Sequence, residues 1–160
     1  MIKSQFTNYT PIAIGAQIAH LIFKIILVGT GFWFLPLNSC STKSTKFQQY
    51  FAQGQVLYEK NCSNCHQKNG NGLGLVYPPL AVSDFYEKNL DASLCLMKYG
   101  TKGELMVNGK SFNKPMPGVP SLTELEIAEI ATYISNSWGR QQGIVEINAV
   151  TTALNLCEAR

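Results

Sequence analysis

The chain has 160 residues, of which 46% are hydrophobic and 14% are charged, and this length suits one domain with a tail. It carries 13 lysine and arginine residues against 10 acidic residues, a formal net charge of +3. Two of the lysines lie in an apolar N-terminal segment, so the rest of the chain is almost neutral. Nothing in this charge pattern indicates nucleic-acid binding.

The apolar N-terminal segment predicts export from the cytoplasm. Its uncharged core covers residues 25–37, with Lys3 and Lys24 on the N-terminal side. This core is shorter than the stretch of about 20 apolar residues that spans a bilayer, and it fits the hydrophobic region of a signal peptide. We therefore predict a signal peptide over residues 1–39, or alternatively an uncleaved membrane helix over residues 12–37.

Cys40 follows this segment directly. With Leu37, Asn38 and Ser39 it resembles the lipobox of bacterial lipoproteins. In that family the cysteine is lipidated and becomes the first residue of the mature protein, so the resemblance implies a lipid anchor at Cys40. A free cysteine after ordinary signal cleavage is a third alternative. All three place the rest of the chain in the cell envelope, facing the periplasm, and the first two anchor it to a membrane.

Composition divides the remainder into three parts. Residues 41–46 are polar and have no apolar period, so residues 40–46 are predicted to be the lipidated cysteine and a short flexible tether. A compact domain is predicted over residues 47–138, which at about 90 residues allows a modest core. Residues 139–160 form a C-terminal tail.

The first predicted element of the domain is a helix that leads into Cys62. Tyr58 is expected to be a core aromatic residue of this helix. Gly54 lies in its middle, where glycine costs about 1 kcal/mol. We therefore expect that Gly54 allows another helix to approach closely.

The run Cys62-Ser-Asn-Cys65-His66 carries the strongest signal in the chain. It is the attachment signature of c-type haem, since two thiols three positions apart share one face of a helical turn and can form thioethers with one porphyrin. His66 would then supply an imidazole to the iron. A thioredoxin-like site would need a βαβ context, and a structural zinc site would need four ligands with paired spacings, and we find neither.

Three methionines are candidates for the second iron ligand. Met116 is flanked by Pro115 and Pro117, and a stiff backbone loses less entropy when it holds a sulfur at a metal. Met97 is expected to pack in the core, while Met106 in a loop and an open sixth position are the alternatives.

Residues 91–100 predict a short amphipathic helix with Asp91 as its cap and Gly100 as its stop. Cys95 lies in this helix and Cys157 lies in the tail. Neither belongs to the haem motif, their number is even, and the predicted compartment is oxidising. We therefore hypothesise that they form a disulfide. Within the tail, the alternating run Ile144–Ile147 is predicted to be an extended strip over the core or a partner-binding segment.

A second long helix is predicted near the C-terminus of the domain. Thr123 and Glu126 have the spacing of a capping box, and apolar residues then recur at helical spacing as far as Ile134. Gly139 is expected to stop this helix.

From Phe47 to about Trp138 the sequence resembles class I cytochrome c. Gly54 and Tyr58 precede Cys62 at the family's spacing, and a Met-Pro pair precedes the last helix. The resemblance implies an all-α cytochrome c fold, in which the N- and C-terminal helices cross and short helices and loops wrap one covalent haem c.

The family's residue roles are carried over where the motif matches. Pro78 lies twelve residues after His66, and its carbonyl is implied to accept the Nδ1–H of that imidazole. Leu80 is implied to pack on the macrocycle. Met116 occupies the place of the family's methionine ligand.

A haem iron held by His66 and Met116 has both axial positions taken by protein. This predicts a one-electron carrier that is not an enzyme and that exchanges electrons with redox protein partners. Lysines expected near the haem edge are Lys68, Lys102, Lys110 and Lys114, although a merely solvated surface is the simpler interpretation. The alternatives are a haem enzyme or a gas or peroxide sensor with an open sixth site, and a cytochrome subunit of a dehydrogenase or reductase complex.

Overall fold

A computed structural model describes residues 42–158. The predicted signal peptide or anchor and the predicted lipidation of Cys40 lie outside the described residues. In the described part the helices are α1 Thr42–Asn61, α2 Ser63–His66, α3 Asp84–Lys88, α4 Leu90–Tyr99, α5 Glu124–Ser135 and α6 Ile147–Glu158. The strands are β1 Gly100–Thr101, β2 Leu105–Val107, β3 Lys110–Phe112 and β4 Met116–Pro117.

The fold is predominantly helical, as predicted, with two small additions of β-structure. β1 pairs with β4 and β2 pairs with β3, both antiparallel. Within residues 42–158, no helix combines the length and the hydropathy that crossing a membrane requires.

Helices α1 and α5 pack directly against each other at Gly54. A Cβ atom at this position would collide with the backbone carbonyl of Glu129 and would lie 3.0 Å from the Cβ of Tyr133. The rings of Tyr58 and Phe51 lie 5.2 Å and 5.3 Å from the ring of Tyr133. The close approach that the sequence predicts at Gly54 is therefore confirmed, and the glycine is required because backbone meets backbone.

The start of α1 corrects one prediction. The helix begins at Thr42, so the flexible tether predicted for residues 41–46 is wrong from Thr42 onward. Near this end of the helix, the Nζ of Lys46 lies 2.7 Å from Glu146 Oε2 and 5.3 Å from the ring centre of Tyr50. A polar composition therefore did not indicate a flexible segment here.

The cap predicted for α4 also needs correction. Asn89 is at the N-cap position of α4, and Asp91 lies in the first turn. Asn89 is already the C-cap of α3, where its backbone N–H donates to Phe85 O, so the chain passes from one helix to the next without a spacer. Gly100, with φ 74°, ends α4 as predicted.

The capping box of α5 is present, but the helix ends earlier than predicted. Thr123 and Glu126 exchange the two expected hydrogen bonds. The last helical residue is Ser135 rather than the residue before Gly139, because Asn136 folds its side chain back. Its Nδ2 donates to Thr132 O and to Gly143 O at 2.7 Å each. These bonds turn the chain and start the tail.

The tail forms a helix from Ile147 onward, so of the strip predicted over Ile144–Ile147 only residues 144–146 lie outside helical structure. Val150, Ala153 and Leu154 of α6 are buried in the core, and this apolar spacing favours a helix once the segment has a surface to cover. A disulfide between Cys95 and Cys157, with the two Cα atoms 6.1 Å apart, joins α6 to α4.

Candidate functional site

Helix α2 gathers the two thiols and the imidazole of the Cys-x-x-Cys-His run. The backbone N–H groups of Cys65 and His66 donate to the carbonyl of Cys62 at 3.2 Å and 3.0 Å, which closes one tight turn directly after α1. All three side chains line one cavity, whose volume is about 440 Å³ when space open to solvent is included. The local turn therefore presents both sulfurs and the imidazole to the same space.

The His66 ring is buried and oriented by the chain. Its Nδ1 lies 2.9 Å from the carbonyl oxygen of Pro78, which is the partner that the family resemblance implies. Burial lowers the pKa of His66, against an opposing contribution from the Pro78 bond. The neutral imidazole is thus favoured, with Nδ1 engaged as donor and Nε2 as the nitrogen that can bind a metal.

The Cys62 thiol does not resemble that of a thiol-disulfide enzyme. Burial, with a smaller contribution from the nearby Cys65, raises its pKa to about 12. Reactive cysteines have depressed pKa values because the thiolate is the nucleophile. An apolar setting of this kind suits a thioether better than a redox-active thiol. Cys65 adjoins Tyr77, whose pKa it raises by charge repulsion and by a hydrogen bond.

The loop after His66 is fastened to the rest of the domain. The carbonyl of Gly70 accepts the N–H groups of Leu80 at 2.7 Å and Ala81 at 2.9 Å. Gly70 has φ 69°, and a Cβ atom there would lie 2.8 Å from the indole of Trp138. The turn at Gly70 therefore needs glycine for both its conformation and its packing.

Met116 faces the same space from the opposite chain segment. It is half-buried in β4, where it pairs with Thr101 of β1. His66 and Met116 both line three cavities, whose volumes are about 530, 450 and 440 Å³ when space open to solvent is included. Leu80 lines the first of these, and Pro78 lines the first two. The donor set of two thiols, one neutral imidazole and one thioether around shared apolar space fits a covalently attached haem.

The other two methionines are placed as follows. Met106 lies in β2 with 53% of its surface exposed, so the alternative ligand points away from the site. Met97 is 8% exposed and belongs to the core, as expected, but it also lines two of the three cavities. Within residues 42–158, no group of three or more histidine, cysteine, aspartate or glutamate side chains could hold a metal ion.

The cavity walls include residues that the sequence analysis missed. Leu105 and Val107 of β2 and the buried Tyr86 of α3 line the largest of the three. The hydroxyl of Tyr86 donates to Ala131 O at 3.1 Å and lies 3.0 Å from Ser135 Oγ. The short apolar run Leu105-Met-Val107 was the available signal for β2, whereas Tyr86 lies in no recognisable sequence motif.

The lysines expected near the haem edge are exposed. The side chain of Lys68 is 77% exposed, and its Nζ lies 3.4 Å from Glu59 Oε2. Lys114 lines one of the cavities. Lys102 and Lys110 are also exposed.

Comparison with known proteins gives consistent results. The family model described as "Cytochrome c" matches residues 51–138, more than half of the chain. Cytochrome c-552 of Thermus thermophilus is 33% identical over 92 residues, which cover 55% of this chain and 70% of that protein.

Two longer proteins also match. The fructose dehydrogenase cytochrome subunit of Gluconobacter japonicus is 30% identical over 119 residues, 71% of this chain and 23% of that subunit. The cytochrome c subunit of alcohol dehydrogenase (quinone) from Gluconacetobacter polyoxogenes is 32% identical over 91 residues, 55% of this chain and 19% of that subunit. The chain thus spans about a fifth of the length of these two subunits.

Proposed function

The chain belongs to the cytochrome c family, and on that premise we propose that it is a one-electron carrier of the bacterial cell envelope. It carries one haem c, bound covalently through Cys62 and Cys65. His66 and Met116 are the axial ligands in this proposal. The carrier exchanges electrons with redox protein partners and catalyses no reaction of its own.

The observation that carries the proposal is the shared position of His66 and Met116. The two side chains come from segments fifty residues apart and line the same three cavities. Ligation by both would leave no open position on the iron, and a thioether ligand favours the reduced state. The match to the carrier and to cytochrome subunits does not favour the alternative of an enzyme or sensor with an open sixth site.

Each residue of the site has a defined task in this proposal. Cys62 and Cys65 hold the macrocycle through thioether bonds, and Pro78 fixes the orientation of His66 and strengthens it as a ligand. Leu80, Leu105 and the other apolar wall residues exclude water. The haem iron, when bound, supplies the Fe(III)/Fe(II) couple.

The ligand assignment is tested by spectroscopy of the haem-loaded chain. We expect the wild type to be low-spin in both oxidation states, with the weak far-red sulfur-to-iron band when oxidised. Met116→Ala should lose that band, whereas Met106→Ala, which truncates the exposed methionine, should keep it. A high-spin wild type, or loss of the band in Met106→Ala alone, would contradict the proposal.

We further propose that residues 1–39 direct export and that Cys40 carries the lipid anchor. The support is sequence alone: an uncharged core of residues 25–37 followed by a lipobox-like run. Mass spectrometry of the mature protein tests this, since cleavage before Cys40 and an added acyl mass are both expected. An intact N-terminus would favour the uncleaved membrane helix instead.

A second candidate function is a cytochrome subunit of a dehydrogenase complex. The fructose dehydrogenase cytochrome subunit aligns over 119 residues, more than the 92 aligned with cytochrome c-552. Affinity purification of the chain from its native membranes distinguishes the two. Stoichiometric recovery of a dehydrogenase would favour the subunit, and a free monomer would favour the mobile carrier.

A further inference from the structure

Arg140 is a nearly buried cation behind the His66 loop. Its side chain is 9% exposed, and its Nη2 donates to the carbonyl of Leu80 at 2.6 Å. Its Nε donates to Glu87 Oε1 at 3.1 Å, and its guanidinium carbon lies 5.5 Å from the ring centre of Tyr86. One planar group therefore joins the loop, helix α3 and an aromatic face.

The end of α5 sets the position of this guanidinium. Gly139 adopts φ 92°, and the backbone N–H of Arg140 donates to Ser137 O at 3.1 Å. This turn directs the chain back towards the loop that follows His66. A buried guanidinium is stable only when acceptors pair with its N–H groups. Its planar set of donors suits two acceptors in fixed directions.

Two residues of the loop, Leu80 and Pro78, connect Arg140 to the imidazole through hydrogen bonds. The N–H of Leu80 donates to Gly70 O at 2.7 Å while its carbonyl accepts from Arg140, so this residue is held on both sides. Two positions earlier, the carbonyl of Pro78 accepts from His66 Nδ1. With proline at positions 78 and 79, the backbone between these points has little freedom to absorb a displacement.

We propose that Arg140 is a positioning residue for the iron ligand. It fixes the segment Pro78–Leu80 so that the Pro78 carbonyl keeps its hydrogen bond to His66. This sets the basicity of the imidazole and, through it, the reduction potential of the haem. The inference rests on the proposed function only in that His66 is taken as an axial ligand.

Arg140→Lys is the decisive variant because it keeps the positive charge and loses the planar set of N–H donors. A single ammonium cannot reach both Leu80 O and Glu87 in the directions that a guanidinium serves. The Pro78 segment should then loosen and its bond to His66 should lengthen. A less basic imidazole stabilises the oxidised iron less, so the potential should rise relative to the wild type.

The direct readout is the exchange of the His66 Nδ1 proton with solvent, followed by NMR in the reduced, haem-loaded chain. We expect exchange about tenfold faster in Arg140→Lys and in Arg140→Gln, the factor expected for weakening a protective hydrogen bond. Glu87→Gln is the matched control, since it removes the ion pair and keeps the Leu80 bond. Val150→Ala is a control for general destabilisation of the core.

Exchange in Arg140→Lys equal to that in the two controls would overturn the proposal, even if the variant were less stable. Should Arg140→Gln fail to fold, Arg140→Lys decides alone. A failure of the proposed function is distinguishable, because it would already be visible in the wild-type spectrum as an iron without imidazole and sulfur ligands.

Discussion

The two sides of the site are held in different ways. The His66 wall, residues 66–81, is fastened to several elements that lie far apart in the sequence. Tyr58 of α1 donates to the carbonyl of Gln67 at 2.7 Å, Trp138 packs on Gly70, and Arg140 donates to Leu80 O. This wall is therefore tied both to α1 and to the end of α5.

The Met116 wall, residues 100–118, is tied to the start of α3 through Asn108, which bonds to Asp84 and Val82, but its ligand segment has fewer ties. Its ligand segment pairs with β1 through a ladder of two residues on each side. Gly100 and Gly118 allow backbone to meet backbone there, since a Cβ at Gly100 would collide with the carbonyl oxygen of Met116. Just beyond the wall, Val119 donates to Met97 O at 2.9 Å. The ligand segment of this wall therefore depends mainly on β1 and on the end of α4.

The comparison indicates that the two ligands differ in how firmly the protein places them. The imidazole is oriented by bonds that exist regardless of the metal, whereas the thioether is positioned by a short ladder and by two prolines. We expect the Met116 wall to give way first under stress.

Replacing each ligand should give the largest and most unequal effects. His66→Ala removes the imidazole and the Pro78 bond together, and we expect loss of low-spin haem and of most of the folded population. Met116→Ala should keep the covalent haem and a cooperative unfolding transition while losing the sulfur-to-iron band. Absorption spectra and thermal unfolding measure both, and equal destabilisation by the two changes would contradict the comparison.

Removing the disulfide should weaken the Met116 wall at a distance. Cys95 and Cys157 are separated by 62 positions, and closing a loop of that size stabilises by about 4 kcal/mol in the chain-entropy model. We expect Cys95→Ser with Cys157→Ser to lower the free energy of unfolding by up to about that amount in denaturant titrations.

Absorption spectra of the same double variant test whether the disulfide supports the Met116 wall. The sulfur-to-iron band should disappear at lower denaturant concentration than the loss of helical circular dichroism, because α4 supports β1. Coincident loss of the two signals would contradict that link.

Gly100→Ala should act on the Met116 wall alone. The residue has φ 74°, and the added Cβ meets the backbone of the ligand residue, so a cost of about 2 kcal/mol or more is expected. Gly74→Ala is the matched control on the other wall, with φ 55° and open space around the Cβ. It should cost about 1 kcal/mol and leave the sulfur-to-iron band unchanged.

Acid should weaken the helix start that follows the Met116 wall. Hydrogen bonds from the backbone and then from the hydroxyl of Thr123 lower the pKa of Glu126 below its ordinary value of 4.5. A lowered folded-state pKa contributes stability that is present above the ordinary value and is lost as the pH falls through the folded value. Because this carboxylate is largely exposed, the contribution is expected to stay below about 1 kcal/mol.

Glu126→Gln tests this contribution. It should reduce stability at neutral pH and flatten the dependence on pH below 4.5, with Thr123→Ala as a second variant costing about 1 kcal/mol. Unfolding curves at pH 3 to 7 provide the measurement, and an unchanged acid limb in Glu126→Gln would count against this interpretation.

The sequence predicted the residues whose roles are local or set by spacing. The turn of Cys62 to His66, the capping box at Thr123 and the close contact at Gly54 follow from short-range rules, and the structure contains each of them. Met116 was favoured because of its two prolines, which are neighbours in the sequence.

What the sequence did not predict depends on distant partners. Lys46 near the start of α1 pairs with Glu146, a hundred positions away, and the tail becomes a helix because α4 and α5 offer it a surface. Arg140 belongs to no sequence motif, and its partners Glu87 and Leu80 are 53 and 60 positions away. Such contacts require the fold before they can be recognised.

Trp138 is the only indole within residues 42–158, and its position gives the molecule a built-in optical probe. Its ring centre lies 5.6 Å from that of Tyr58 and 5.8 Å from that of Tyr133, and its edge covers Gly70. A porphyrin in the neighbouring cavity would absorb its excitation energy and suppress its fluorescence. Emission from Trp138 would therefore report separation of the helix pair and displacement of the imidazole loop in a single measurement, without any added label.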